Sequence, residues 1–282
     1  MSNKRDLLNY LQFLQESGFL YAEGVDPELL LADRPRVAPS TLPRELRADV
    51  PRAHPVPTPP PVTAAGIVTR NPSAPLVDES LSYEDRVLKL GQLAEQAEMC
   101  RSCTLGKLRT QAVFGDGSPM AKIVFVGEGP GAEEDARGLP FVGRAGQLLN
   151  KMIEAIGFKR EEVYICNTVK CRPTGNRDPL PDEKGACEHF LVAQLSILQP
   201  QILVALGSHA AQYLCRSEET IGRLRGRWHS YHGIPLLATY HPAFLLRSPQ
   251  FKVKSWEDFQ MIHAKYTELN PDDPRKLWSR GG

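Results

Sequence analysis

The sequence predicts an α/β fold: a three-layer sandwich with a central four-stranded parallel sheet flanked by helices. Three observations carry this. Four short apolar runs, partly β-branched, stand at Ile123–Val126, Val163–Ile165, Ile202–Leu206 and Leu236–Ala238. Each is long enough for one buried strand. Helical patterns separate them at residues 145–157, 182–198 and 208–215. Strands alternating with helices at this spacing imply parallel pairing with helices on both faces. The unusual residues follow the runs directly: Gly127-Glu128-Gly129-Pro130-Gly131, Cys166-Asn167-Thr168, Gly207-Ser208-His209 and Thr239-Tyr240-His241-Pro242. Open parallel sheets bind ligands outside the carboxyl ends of their strands, so four loops point to one rim.

Composition bounds the rest. The chain has 282 residues and a formal charge of +1. A nucleic-acid contact must therefore come from a local patch rather than from the overall balance. No apolar run is long enough to span a bilayer. Lys4 and Arg5 precede LLNYLQFLQ, which Asn9, Gln12 and Gln15 interrupt, so no signal-peptide core is expected. A cytoplasmic location follows as the expectation. In that compartment the six cysteines are expected to ligate a metal or cluster rather than form disulfides.

In chain order, residues 1–32 form a short helical segment. Leu7, Leu11 and Leu14 share one face of it, either packing on the body or docking a protein partner. Eleven of the 24 prolines lie between Pro35 and Pro75. Residues 33–78 therefore read as a linker dominated by polyproline II and disorder. Residues 79–282 form the catalytic domain. Ser82-x-x-Asp85 is a capping box, and Val87, Leu90, Leu93, Ala94 and Ala97 continue at helical spacing towards Cys100.

The stretch from Lys122 to Gly146 is the centre of the site. Three glycines in five residues let the backbone turn tightly and approach a ligand. The acids Glu133, Glu134 and Asp135 and the ring of Phe141 follow. A glycine turn with acids and a planar ring suits something flat and polar. The pattern is neither G-x-G-x-x-G nor a P-loop. The acids also argue against a phosphate-binding redox protein.

Cys100 and Cys103 form a C-x2-C pair, and Cys187 follows Cys171 by sixteen positions. Four thiolates suit a [4Fe–4S] cluster or tetrahedral zinc. Joining Cys103 to Cys171 closes a long loop around the first βα unit. Arg101, Lys107 and Arg172 are placed to offset thiolate charge. Cys166 and Cys215 read as small core residues.

C-x2-C, then GEGPGAEEDARGLPFVGRAGQLL, then NTVKCRPTGNRDP, then HPAFLLR resembles the family 4 uracil-DNA glycosylases, over about residues 84 to 265. The resemblance implies the uracil-DNA glycosylase fold and a DNA-repair hydrolase. Such an enzyme flips uracil from DNA and cleaves its N-glycosidic bond, leaving an abasic site. A structural [4Fe–4S] cluster on Cys100, Cys103, Cys171 and Cys187 is implied with it. Phe141 is then the ring on which uracil stacks, within a pocket that includes Gly129 and Gly131. Asn167 reads O4 and N3–H, and Glu134 blocks C5 against thymine. His241 donates to uracil O2, while Glu128 and Asn176 position water and the sugar. Gly129 occupies the place where many superfamily members carry a catalytic Asp. Leu245, Leu246 and Arg247 are the expected wedge into DNA. Arg144, Arg172, Arg177, Arg223, Arg225, Arg227 and Arg247 are the expected phosphate track. An offshoot of the superfamily traps uracil-DNA covalently through a His in an Arg-rich loop near the third cysteine. Here Cys171–Pro179 contains no His, which favours turnover. The partner is uracil-containing DNA and the expected state is a monomer.

Overall fold

The computed structural model describes residues 80–277. The expected N-terminal helix and Pro-rich linker lie outside the described residues. Helix α1, Tyr83–Met99, begins where the capping box places it: the Ser82 hydroxyl accepts from the Asp85 backbone N–H. Helix α2, Leu105–Leu108, follows the C-x2-C pair.

The sheet has six strands rather than four. The expected four are all present and parallel: β2 (Ile123–Gly127), β3 (Tyr164–Asn167), β4 (Ile202–Leu206) and β6 (Ile234–Thr239). Two antiparallel edges were not expected. One is β1, Asp116–Gly117, beside β3; the other is β5, Trp228–Tyr231, beside β6. The β5–β6 hairpin turns on His232 (φ 49°) and Gly233 (φ 80°). Two successive positive φ values match the right-handed twist of the paired strands.

The remaining helices are α3 (Ala132–Arg137), α4 (Arg144–Ala155), α5 (Pro181–Leu198), α6 (Ser208–Cys215), α7 (Ile221–Leu224), α8 (Pro242–Arg247) and α9 (Lys252–Leu269). Strands β2, β3 and β4 are buried along their whole length, as a sheet covered on both faces requires. The twofold alternation of side chains then divides the core. Ile123 and Phe125 pack on one face with Leu148, Met152, Phe259 and Ile262 of α4 and α9. Val124 and Val126 pack on the other with Leu90, Phe190, Leu191 and Ala210 of α1, α5 and α6. The polar carboxyl ends of four strands are thereby held on one rim.

Candidate active site

That rim encloses a cavity of about 600 Å³. Its lining includes Glu128, Gly129, Gly131, Glu134, Phe141, Asn167, Asn176, His241 and Arg247. All nine were expected from the sequence.

Asn167 is the last residue of β3 and pairs in register with Gly127 of β2. A Cβ at Gly127 would lie 2.4 Å from Asn167 Oδ1 and 2.8 Å from the Phe141 ring. Only glycine lets these two side chains close over the strand end. Beyond it the two chains stay zipped: Thr168 N–H donates to Gly127 O at 2.9 Å, and Val169 N–H to Glu128 O at 3.1 Å. Asn167 is 1% exposed, and its Oδ1 is buried without a hydrogen-bond partner. A buried acceptor left unpaired costs roughly 1–3 kcal/mol, so this atom is poised for a ligand donor.

Phe141 holds a left-handed backbone conformation, φ 52°. Such a position costs on the order of 1–3 kcal/mol for a non-glycine residue and persists only where its surroundings enforce it. Arg160 enforces it from one side, donating to Pro140 O at 2.6 Å and Phe141 O at 3.2 Å. Glu134 does so from the other, its Oε1 accepting from Val142 N–H at 2.9 Å and Gly143 N–H at 3.0 Å. The acid expected to meet uracil C5 thus also shapes the loop that presents the ring.

His241 caps α8, its Nδ1 accepting from the Ala243 N–H at 3.1 Å. That bond leaves the ring proton on Nε2. Burial, reinforced by the charge of Arg247, pushes the imidazole down to about 4. His241 is therefore neutral at pH 7 and still a donor.

Glu128 titrates above the usual carboxylate range, chiefly because it is buried. Its carboxylate faces His209 Nε2 at 3.9 Å, and the same nitrogen lies 3.3 Å from Asp178 Oδ2. The imidazole nitrogen and one carboxylate oxygen from each acid all lie within 4.8 Å of one another. Sequence reading placed His209 on the rim without a role and passed over Asp178. Nothing local distinguishes them, since the crossovers after β3 and β4 bring them together. Asn176 is exposed at the cavity edge, its Oδ1 accepting from Arg172 Nε at 2.8 Å.

The wedge expectation needs correction. Leu245 is fully buried in the core cluster that includes Phe259 and Trp256, rather than presented on the surface as a wedge would be. One turn of α8 points it inward. Leu246 is only partly buried and Arg247 is exposed. The arginine track also changes. Arg225 makes two bonds to buried Asp258 at 2.8 and 3.0 Å, and lies 5.9 Å over the Tyr240 ring. Arg177 grips Glu183 with two bonds of 2.7 and 2.8 Å. Arg225 is thus tied into the core, while Arg177 stays exposed on the cavity wall with its guanidinium held by Glu183. Arg144, Arg223 and Arg247 are exposed, and Arg247 lines the cavity.

The four expected cysteine ligands lie in one neighbourhood: Cys187 feels Cys103 and Cys100, and Cys171 feels Cys187 and Cys103. Arg109, rather than Arg101 or Lys107, reaches a sulfur, donating to Cys171 Sγ at 2.8 Å. The Lys170 N–H donates to Cys187 Sγ at 3.3 Å. Cationic and amide donors aimed at sulfur suit thiolate ligands. Cys166 is buried in the core as expected.

Residues 114–260 match the family described as the Uracil DNA glycosylase superfamily. A type-4 uracil-DNA glycosylase of Thermotoga maritima is 46% identical over 160 residues, covering 55% of this chain and 82% of that protein. One from Archaeoglobus fulgidus is 42% identical over 181 residues, covering 61% and 91%. One from Pyrobaculum aerophilum is 40% identical over 185 residues, covering 62% and 93%. With its cavity, its cysteine set and these relatives in agreement, the chain belongs to the uracil-DNA glycosylase superfamily, in its type-4 branch.

Proposed function

We propose that the protein is a monofunctional uracil-DNA glycosylase of base-excision repair, acting in the cytoplasm as a monomer on uracil-containing DNA. The observation that carries this is the unpaired, buried Oδ1 of Asn167 on the wall of a cavity shared with Phe141 and His241. A base read here must leave the stack. The Phe141 ring offers it a face. Asn167 Oδ1 accepts from uracil N3–H, and its amide N–H donates to O4. Cytosine presents the reverse pattern and leaves both groups unpaired.

As the C1′–N1 bond breaks, its electron pair leaves on uracil N1 and spreads to O2. The His241 Nε2–H donates to that oxygen. A single preorganised donor of this kind is worth about 3–4 kcal/mol of barrier. Water adds to C1′ and its proton passes to the Glu128 carboxylate. Asn176, at the cavity edge, orients the water or the sugar. Leu246 and Arg247 remain the candidates for contact with DNA.

Cys100, Cys103, Cys171 and Cys187 fit a [4Fe–4S] cluster by donor chemistry and by the sulfur-directed hydrogen bonds of Arg109 and Lys170. When bound, the cluster supplies a structural cross-link between the turn after α1, the loop after β3 and α5.

The test is incubation with a single-stranded uracil oligonucleotide followed by alkali. Strand scission by the wild type, and its loss in His241→Ala and Asn167→Ala, is expected. Full activity in both variants would remove the site assignment. A band shift that survives denaturant would replace turnover with covalent trapping.

A further inference from the structure

Residue 129 is glycine and supplies no carboxylate; Glu128, half-buried beside it on the cavity wall, is the acid given that role above. Its backbone is fixed: Thr168 Oγ1 donates to its carbonyl at 2.6 Å, and Val169 N–H does so at 3.1 Å. Its side chain has a different set of neighbours. The groups whose charge reaches it are His209, Asp178 and Lys184. His209 and His241 line the same cavity, and the charge of His209 reaches His241.

His209 owes its place to Gly207. There β4 ends with φ 89°, and a Cβ would lie 2.9 Å from the His241 Cβ. This glycine turns the chain so that the second residue of α6 looks across the cleft. The His209 Nε2 then stands between two carboxylates, 3.3 Å from Asp178 and 3.9 Å from Glu128. Side-chain exposure is 25% for Glu128, 36% for His209 and 70% for Asp178. The imidazole is thus the link between a half-buried acid and a solvated one.

Resting on the reading of Glu128 given above, we infer that His209 is a positioning residue whose imidazole, set 3.9 Å from the Glu128 carboxylate, keeps that group aimed at the attacking water and favours its ionised form. Burial favours the protonated acid, which is useless as a base. The charge that His209 can carry opposes that. Asp178, 3.3 Å from the same imidazole nitrogen, orients the ring, and its own charge disfavours a second negative charge on Glu128. Replacing His209 and replacing Asp178 should therefore move the acid limb of the reaction in opposite directions.

The experiment is single-turnover excision from a single-stranded uracil oligonucleotide across pH 4.5 to 9. In His209→Ala and His209→Gln the acid limb moves to higher pH by about one unit, so that below the limb the rate falls about tenfold. His209→Lys brings the limb back towards wild type, because the charge and not the ring shape matters. Asp178→Asn moves it to lower pH. A role limited to folding would move neither limb nor its sign. If Glu128→Gln is nearly inactive while the limb stays put in all His209 variants, the inference is wrong and the Glu128 assignment stands. If Glu128→Gln retains full activity, the underlying assignment fails, and this inference with it.

Discussion

The rings of Phe141 and His241 lie 5.5 Å apart, centroid to centroid, and are tilted by 32°. The residues are a hundred positions apart in the chain, on loops after different strands. Their contact joins the surface that would stack a base to the donor that would receive its charge. The imidazole is also desolvated in this position. The ring is thereby kept neutral, with its Nδ1 occupied by the Ala243 N–H.

A pH dependence of stability follows from that burial. His241 titrates near 4 in the folded chain against an ordinary 6.5. Below pH 6.5 the unfolded state gains a proton that the folded state refuses. His241 therefore favours folding above that value, and its contribution is lost as pH falls from about 6.5 to 4. His241→Gln should flatten the denaturation midpoint across this window. Guanidinium titrations at pH 7, 5.5 and 4.5 measure it; an unchanged slope in the variant would refute the assignment.

Asn167 sets base identity. In Asn167→Ala the rate of uracil excision should fall on the order of a hundredfold or more, because the base loses its edge contacts. In Asn167→Asp the carboxylate keeps an acceptor but loses the amide donor. Relative activity should then turn from uracil towards cytosine, read by competing the two oligonucleotides. Retention of wild-type selectivity in the Asp variant would place base reading elsewhere.

Glu183 locks the neighbourhood of the cysteines. It accepts from Arg177 twice, from Leu180 N–H at 2.9 Å and from Thr104 Oγ1 at 2.9 Å. Arg177 above all holds its carboxyl down at about 2, against an ordinary 4.5. A carboxylate depressed on folding stabilises above the unfolded value and loses that contribution as pH falls from 4.5 towards 2. Glu183→Gln should cost roughly 2 kcal/mol at pH 7 and little at pH 2.5. Thermal melts at both pH values test this, with a constant deficit as the contrary result.

DNA affinity should separate the arginines. Removing Arg247, exposed at the cavity mouth, should lower the slope of log affinity against log salt by about one. Arg225→Ala should instead lower stability, since it strands buried Asp258, with little change in salt slope. Equal effects of the two on salt slope would contradict the corrected track.

The parallel layer was legible because four apolar runs and their spacing leave few alternatives. The rim followed, because Gly127, Asn167, Gly207 and His241 stand at or next to strand ends, where local pattern is enough. The short edge β1 was not legible, as two residues carry no periodicity. The β5 edge hides in WHSYHG, where only the His232-Gly233 turn marks a hairpin. Leu245 illustrates a different limit. The HPAFLLR segment is apolar whether its leucines face core or solvent, and the direction of α8 alone turns Leu245 inward. The arginines behave alike: seven charges look equivalent in one dimension, yet Asp258 and Glu183 claim two of them.

By itself, then, the chain's order of residues determined the layered α/β core, the edge on which chemistry collects and the identity of most side chains there. Tertiary structure alone decided that His209 and Asp178 confront Glu128, that Arg225 belongs to the core and that Glu134 braces Phe141. Periodicity and glycine turns are local and act within a few residues. These contacts instead depend on how the crossovers bring distant strand ends together, at distances where an ångström separates an ion pair from solvent.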